Sequence, residues 1–376
     1  MIKALEKYIG TGNILKEEKQ EIIKYFVEKI SNYYYLSDEK LVNLLKNDKN
    51  NVIKSYFLRK NLKSLRNANT MRDIICSILI ESNQNYKRVG KVIYDKTKVE
   101  IASIKTISSY LNEIRKLNSN HSANNFYRGQ ANFEWKLMPS IFRYPKILKY
   151  ENQIIEEMIR FFPNDLVDSS RIETLTKLQH YGLPTRLIDL TENPLIALYF
   201  ACEDENYLTE DGRIFYFSPS VENIKFSNSN TVRILSNISR MDFNFGYSTF
   251  NTNLEQKDKF LDFIRSENLS FRDIKKPEVL QSHCFVRANF NNDRIKNQNG
   301  SFMIVGTGNI NKNIELEIND NALINNKPHL LLIDSKSKEN IKDELDKMGI
   351  NEATVYPEIY KVTDYIKKKY ENTNIF

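Results

Sequence analysis

The chain has 376 residues, 41% of them hydrophobic, with 21 Tyr and 21 Phe to supply large buried surfaces. This length suits two or three domains of roughly 150 residues each, and no apolar run reaches the roughly 18–20 residues of a membrane helix. Its 55 Lys and Arg against 48 Asp and Glu give a net charge of +7. The excess is local: residues 1–124 hold 18 Lys and 5 Arg against 13 Asp and Glu, which leaves the remainder near −3. Such a basic segment either attracts RNA or DNA or is the solvated face of helices. Lys3, Glu6 and Lys7 interrupt the first apolar residues, so no leader is expected, and the protein is placed in the cytoplasm without a membrane partner.

Residues 14–30 repeat apolar side chains at helical spacing, with Ile14, Ile22, Phe26 and Ile30 beside Leu15, Ile23 and Val27. Helical patterns continue over 38–66, 71–80 and 102–117, whereas 85–100 has no clear period. Residues 1–118 therefore read as a mostly helical accessory domain, joined to the next region by "NSNHSANN".

Beyond the join, helices and strands mix. "FYRGQ" reads as a short strand, "NQIIEEMIRFFP" as a helix ended by Pro163, and "IETLTKLQHYG" as a helix stopped by Gly182. "TRLIDL" has strand composition, "NPLIALYFACE" a helix opened by Asn193 and Pro194, and "GRIFYFSP" another strand. "HCFVRANF", "GSFMIVG" and "HLLLIDS" add strands, then "ENIKDELDKMG" and "KVTDYIKKKY" add helices. The fold class expected is α+β: a helical N-terminal domain, then a mixed or antiparallel sheet with flanking helices over 124–366.

Two stretches carry the chemistry. In "NNFYRGQANFEWKLMPSIFR", Arg128 sits between Tyr127 and Gly129, either stacked on its neighbours at the surface or held at the mouth of a pocket. In "LQHYGLPTRLIDLTENPLIALYFAC", His180, Arg186, Asp189, Thr191 and Asn193 crowd the ends of apolar elements. Arg186 and Asp189 either form an internal ion pair, with Thr191 or Asn193 capping the next helix, or face a desolvated pocket. In a pocket, Arg186 could grip a phosphate and His180 serve as acid or base. There is no GxxxxGK loop, no GxGxxG after a strand and no HExxH; the four His lack metal spacing, so no metal is expected. Cys76, Cys202 and Cys284 are far apart and odd in number, and read as reduced thiols.

"NNFYRGQ", "LQHYGLPTRLIDLTENPLIALYFA", "RIKNQNGSFMI" and "VYPEIYKVTDYI" together resemble the bacterial FRG domain, named for its Phe/Tyr-Arg-Gly motif. The resemblance runs over 124–366 with an insertion at 220–270, and Leu190 stands where family members often carry Trp. It implies a bacterial stress or phage-defence setting. More loosely, the order of elements is similar to ADP-ribosyltransferase folds. That similarity implies NAD in a cleft, held by Tyr127, Arg128, Gly129, Arg186 and Thr191, with Arg128, His180, Asp189 and Gln298 as the reacting set. Gln298 stands where those enzymes supply a glutamate, and Glu358 is a more distant carboxylate. The expected activity is NAD-dependent ADP-ribosyl transfer to RNA, DNA or a host or phage protein. The alternative is a non-enzymatic module that binds a nucleotide or senses a phage component.

Overall fold

The structure, a computed structural model, describes residues 35–36, 86–89, 92–95, 100–118, 124–166, 170–290, 292–307, 323–324 and 327–371. These fall into two compact units. In the first, β1 (Tyr35–Leu36) and β2 (Tyr86–Val89) both pair antiparallel with β3 (Val92–Asp95). Strand β4 (Glu100–Ile104) pairs with β12 (Lys327–Ile333), which β11 (Leu323–Ile324) joins antiparallel. The stretch 85–100 thus holds strands, and the helices expected over 14–30, 38–66 and 71–80 lie outside the described residues.

The second unit opens with α1 (Ile107–Asn118). Thr106 and Ser109 cap it reciprocally, each hydroxyl accepting the other's backbone N–H at 3.1 Å. Ile107, Tyr110, Ile114 and Leu117 form its buried stripe, and the Tyr110 hydroxyl donates to the Pro194 carbonyl at 2.9 Å. Then follow β5 (Phe126–Gln130), α2 (Glu151–Phe161), α3 (Arg171–His180) and β6 (Leu187–Thr191). A Ser170–Glu173 capping box starts α3, and Gly182, at φ 89°, allows the left-handed exit that ends it.

Next come α4 (Pro194–Cys202), β7 (Gly212–Phe217), β8 (Ile224–Phe226), α5 (Asn230–Asn237) and α6 (Leu254–Glu267). The unit closes with β9 (His283–Arg287), α7 (Asp293–Asn297), β10 (Gly300–Val305), α8 (Lys338–Lys347) and α9 (Ile359–Glu371).

Its strands run in the order β7-β5-β6-β10-β9-β8, antiparallel except for the parallel pair β8–β9. Both faces of this mixed sheet are covered. Phe302 and Ile304 point into a core with Leu175, Leu178, Val232, Leu235 and Phe260. Met303 and Val305, the alternating residues of the same strand, join Phe126, Ile188, Phe217 and Phe285 on the other side. The 220–270 segment therefore supplies core-forming helices to the sheet. Cys202 and Cys284 are buried thiols, and burial pushes each up to about 12, which keeps them protonated and unreactive.

One close approach shapes the unit. The sequence of α4, "PLIALYFAC", is apolar on all sides, and Ala197 and Ala201 let it lie directly against β5. A Cβ on Gly129 would stand 1.9 Å from the Ala197 carbonyl oxygen and 2.8 Å from the Ala201 nitrogen, both rigid backbone atoms. Gly129→Ala is therefore expected to cost at least about 1–3 kcal/mol through overpacking. Urea unfolding measures it, and an unchanged midpoint would reject the close helix–strand approach.

Candidate functional site

Strands β5 and β6 are registered through a single pair, Tyr127 with Thr191. An unbroken antiparallel ladder would go on to pair Arg128 with Leu190 and Gly129 with Asp189, but β5 parts from β6 there while its other edge stays on β7, with Arg128 opposite Phe215 and Gly129 opposite Ile214. At the mouth of this split lies a cavity of about 260 Å³ that Tyr127, Arg128, Gly129, His180, Asp189, Thr191 and Gln298 all help to line. Arg186 does not line it.

Arg128 bridges the split. Its Nη1 donates to the Asp189 backbone carbonyl at 2.7 Å, filling the place of a ladder bond. Its Nε donates at 3.2 Å to the amide oxygen of buried Gln130, whose NH₂ donates to the Trp135 carbonyl at 3.0 Å, in the amide orientation that satisfies both groups. Burial lowers the Arg128 pKa; the Asp189 carboxylate opposes this and the Arg143 charge adds to it. Arg143 lines the same cavity, so two guanidinium groups share one wall region.

The Asp189 side chain is exposed. One carboxylate oxygen accepts from Gln179 Nε2 at 2.5 Å, and the Gln179 oxygen is held in turn by the Thr185 hydroxyl. Thr191 is 1% exposed and serves the backbone: its hydroxyl donates to the Gln298 carbonyl at 2.6 Å and accepts the Asn193 N–H at 3.0 Å. Asn193 caps α4 by accepting from the Leu195 N–H at 2.9 Å. The Gln298 side chain donates to the Val355 carbonyl at 3.2 Å.

His180 has both ring nitrogens engaged. Asn292 accepts the Arg294 N–H through Oδ1, which turns its NH₂ toward His180 Nδ1 at 3.1 Å and makes that nitrogen the acceptor. The proton therefore sits on Nε2, which donates to Glu358 Oε1 at 2.7 Å. Arg294 reaches the same oxygen at 3.3 Å and lies over the Tyr356 ring at 4.7 Å. Burial works to raise the Glu358 pKa, but its own backbone amide, His180 and Arg294 together bring it below the ordinary value.

The Arg186–Asp189 ion pair is not formed. Arg186, just ahead of β6, is paired with Glu151 of α2: Nε meets both carboxylate oxygens at 2.8 Å and Nη2 meets Oε2 at 2.5 Å, both side chains being buried. Arg186 is thus no part of the cavity wall, whereas Arg143, which the sequence did not single out, lines it. A second omission is Glu203, the residue that follows α4. It lines this cavity and a second one of about 710 Å³, and its two oxygens accept from the Tyr356 hydroxyl at 2.8 and 2.9 Å. Burial pushes Glu203 up to about 7, against Tyr356, Lys361 and Arg294, which lower it. Among the described residues no cluster of His, Cys, Asp and Glu could hold a metal ion, and no helix is long and apolar enough to cross a membrane.

Because the Glu203 pKa is higher in the folded than in the unfolded chain, folding gains proton affinity there. Its stabilising contribution is complete below about 4.5 and is lost as pH rises through about 7. Comparing urea midpoints of the wild type and Glu203→Gln from pH 5 to 8, the wild type should fall more steeply; parallel curves would refute the shift. Glu151→Gln should destabilise by about 3–5 kcal/mol, because it leaves Arg186 buried and unpaired. A change below about 1 kcal/mol in the same unfolding measurement would remove Arg186 from that structural role.

Residues 123–210 match the FRG domain, a span that contains Arg128, Arg143, His180, Asp189 and Glu203 and ends before Arg294, Gln298, Tyr356 and Glu358. No curated protein and no solved structure matches the chain. The family to which the central segment is similar is the FRG domain.

Proposed function

We propose that the cleft binds a nucleotide through Arg128 and Arg143, and that the protein transfers the ADP-ribosyl group of NAD to nucleic acid or protein. The observation that carries this reading is the convergence of two guanidinium groups, the exposed Asp189 and the near-neutral Glu203 on one cavity. The donor set suits the group: planar guanidinium forks match phosphate oxygens, and a carboxylate suits a sugar carbon that becomes positive. NAD supplies a glycosidic C–N bond whose cleavage releases nicotinamide. Asp189 offsets the positive character that develops at the ribose carbon. Glu203, with a pKa near the working pH, takes the proton of the acceptor hydroxyl or amine as its heteroatom bonds to that carbon. Arg128 and Arg143 hold phosphate, and His180 fixes the opposite wall through Glu358. The similarity of residues 123–210 to the FRG domain supports reading this chemistry as part of bacterial stress or phage defence.

A second reading, a nucleotide-binding or phage-sensing module without turnover, is favoured by the Gln298 side chain, an amide already tied to the Val355 carbonyl. Isotopically labelled NAD with lysate from phage-infected and uninfected cells separates the two. Label in protein or nucleic acid supports transfer. Saturable nucleotide binding with neither label transfer nor nicotinamide release supports sensing. Arg128→Ala should weaken nucleotide binding by roughly 2–5 kcal/mol, with Lys a poor rescue for want of the planar fork. It should also lower stability by about 1–3 kcal/mol by stranding the Asp189 carbonyl. Calorimetry and thermal unfolding on one preparation check both; undiminished binding by the folded variant would end the clamp assignment.

A further inference from the structure

Resting on the nucleotide reading, we infer that Trp135 is the platform on which the purine base of that nucleotide stacks, with its phosphates on Arg128 and Arg143. The cavity has five aromatic side chains in its wall. Tyr127 is 3% exposed and packs edge-on against Tyr216, and Phe302 is 6% exposed and belongs to the helical core. Tyr356 carries the Arg294 guanidinium over its ring and spends its hydroxyl on Glu203. Phe200 is tilted between Tyr199 and Tyr356. Trp135 is half-buried and packs at 76° to Tyr207, 4.7 Å between centroids, which fixes the indole orientation.

The platform and the clamp are also set by one residue. The Gln130 amide holds the Trp135 carbonyl with its NH₂ and Arg128 Nε with its oxygen, so the two lie one amide apart. Gln130 is 2% exposed and cannot swing to change that spacing. A base stacked on the indole and a phosphate on the guanidinium are the two ends that a nucleotide presents, and the bicyclic indole overlaps a purine better than a pyrimidine. Leu190, an apolar wall of the same cavity, has no ring to offer, so the aromatic face is Trp135.

Trp135 is the only tryptophan in the chain, which makes its fluorescence a direct reporter. The full-length protein is titrated with ADP and with inorganic pyrophosphate, reading fluorescence and heat together. The expected result is saturable quenching by ADP, and binding of pyrophosphate by heat with little change in fluorescence. Trp135→Leu should lose roughly tenfold or more in ADP affinity, the range of one base–aromatic stack, while holding pyrophosphate as the wild type does. Trp135→Phe should recover part of the loss. ADP binding by heat with no quenching, or equal ADP affinity in Trp135→Leu, overturns the platform and leaves the phosphate clamp standing. Absence of binding by either probe overturns the nucleotide reading and the platform with it. Should Trp135→Leu fail to fold, the contrast between ADP and pyrophosphate in the wild type still decides.

Discussion

The contact of the Gly129 backbone with Ala197 and Ala201 is the constraint from which the cleft follows. Only a residue without Cβ lets α4 settle on β5, which is held on one edge by a ladder with β7 along its whole length. The β5–β6 ladder stops at one pair, and the Asp189 carbonyl loses the partner that an unbroken sheet would give it. A stranded buried carbonyl costs about 1–3 kcal/mol. Arg128 supplies the missing donor through its side chain. The "YRG" motif thus couples two facts: the glycine admits α4 against the strand, and the arginine before it both bridges the gap to β6 and lines it.

Three arginines of the unit show how differently one side chain can be used. Arg186 is buried against a carboxylate that takes its Nε and one Nη, a structural pair. Arg171 is 0% exposed and braces α3 by donating to the Ser239 hydroxyl at 2.8 Å and carbonyl at 3.0 Å. Arg128 alone of these sits in the cleft. It spends two of the five N–H donors of a guanidinium on described residues, one on a backbone carbonyl and one on an amide, neither carrying a charge. Its positive charge is oriented but not neutralised by a direct carboxylate contact, the state in which an arginine meets an anion with little rearrangement.

Much of this was legible in the residues. The caps, the Gly182 stop and the Asn193–Pro194 start are local, so helix boundaries around the site follow from a few adjacent side chains. The partner of Arg186 was also within reach in part: residues three apart along a strand face opposite sides, so Arg186 and Asp189 could not readily pair. That the partner is Glu151 was not legible, because it comes from another helix. Glu203 was hidden for a similar reason: it is an ordinary residue for the end of α4 and meets the Tyr356 hydroxyl only where distant chain is gathered against the cleft. Trp135 and Arg143 stand in the same quoted stretch as Arg128, but nothing local told that they line one cavity with Asp189 and Glu203. The His180–Glu358 pair spans 178 residues, a separation at which spacing carries no information.

The wall opposite Arg128 divides its work between two carboxylates. Asn297 and Gln298 donate to the Thr354 and Val355 carbonyls at 2.9 and 3.2 Å, bringing the segment that carries Tyr356 and Glu358 against the cleft. Glu358 is then held ionised by His180 and Arg294, and its charge fixes both in place. Glu203 meets a phenol instead of a cation and is pushed up to about 7 by burial. Two carboxyl groups joined through Tyr356 and Arg294 are thereby driven in opposite directions, the condition under which one can exchange a proton while the other stays charged. Glu203, raised to about 7 and bonded among the described residues only to the Tyr356 hydroxyl, can therefore change protonation near neutral pH while the ion pairs of Glu358 stay in place.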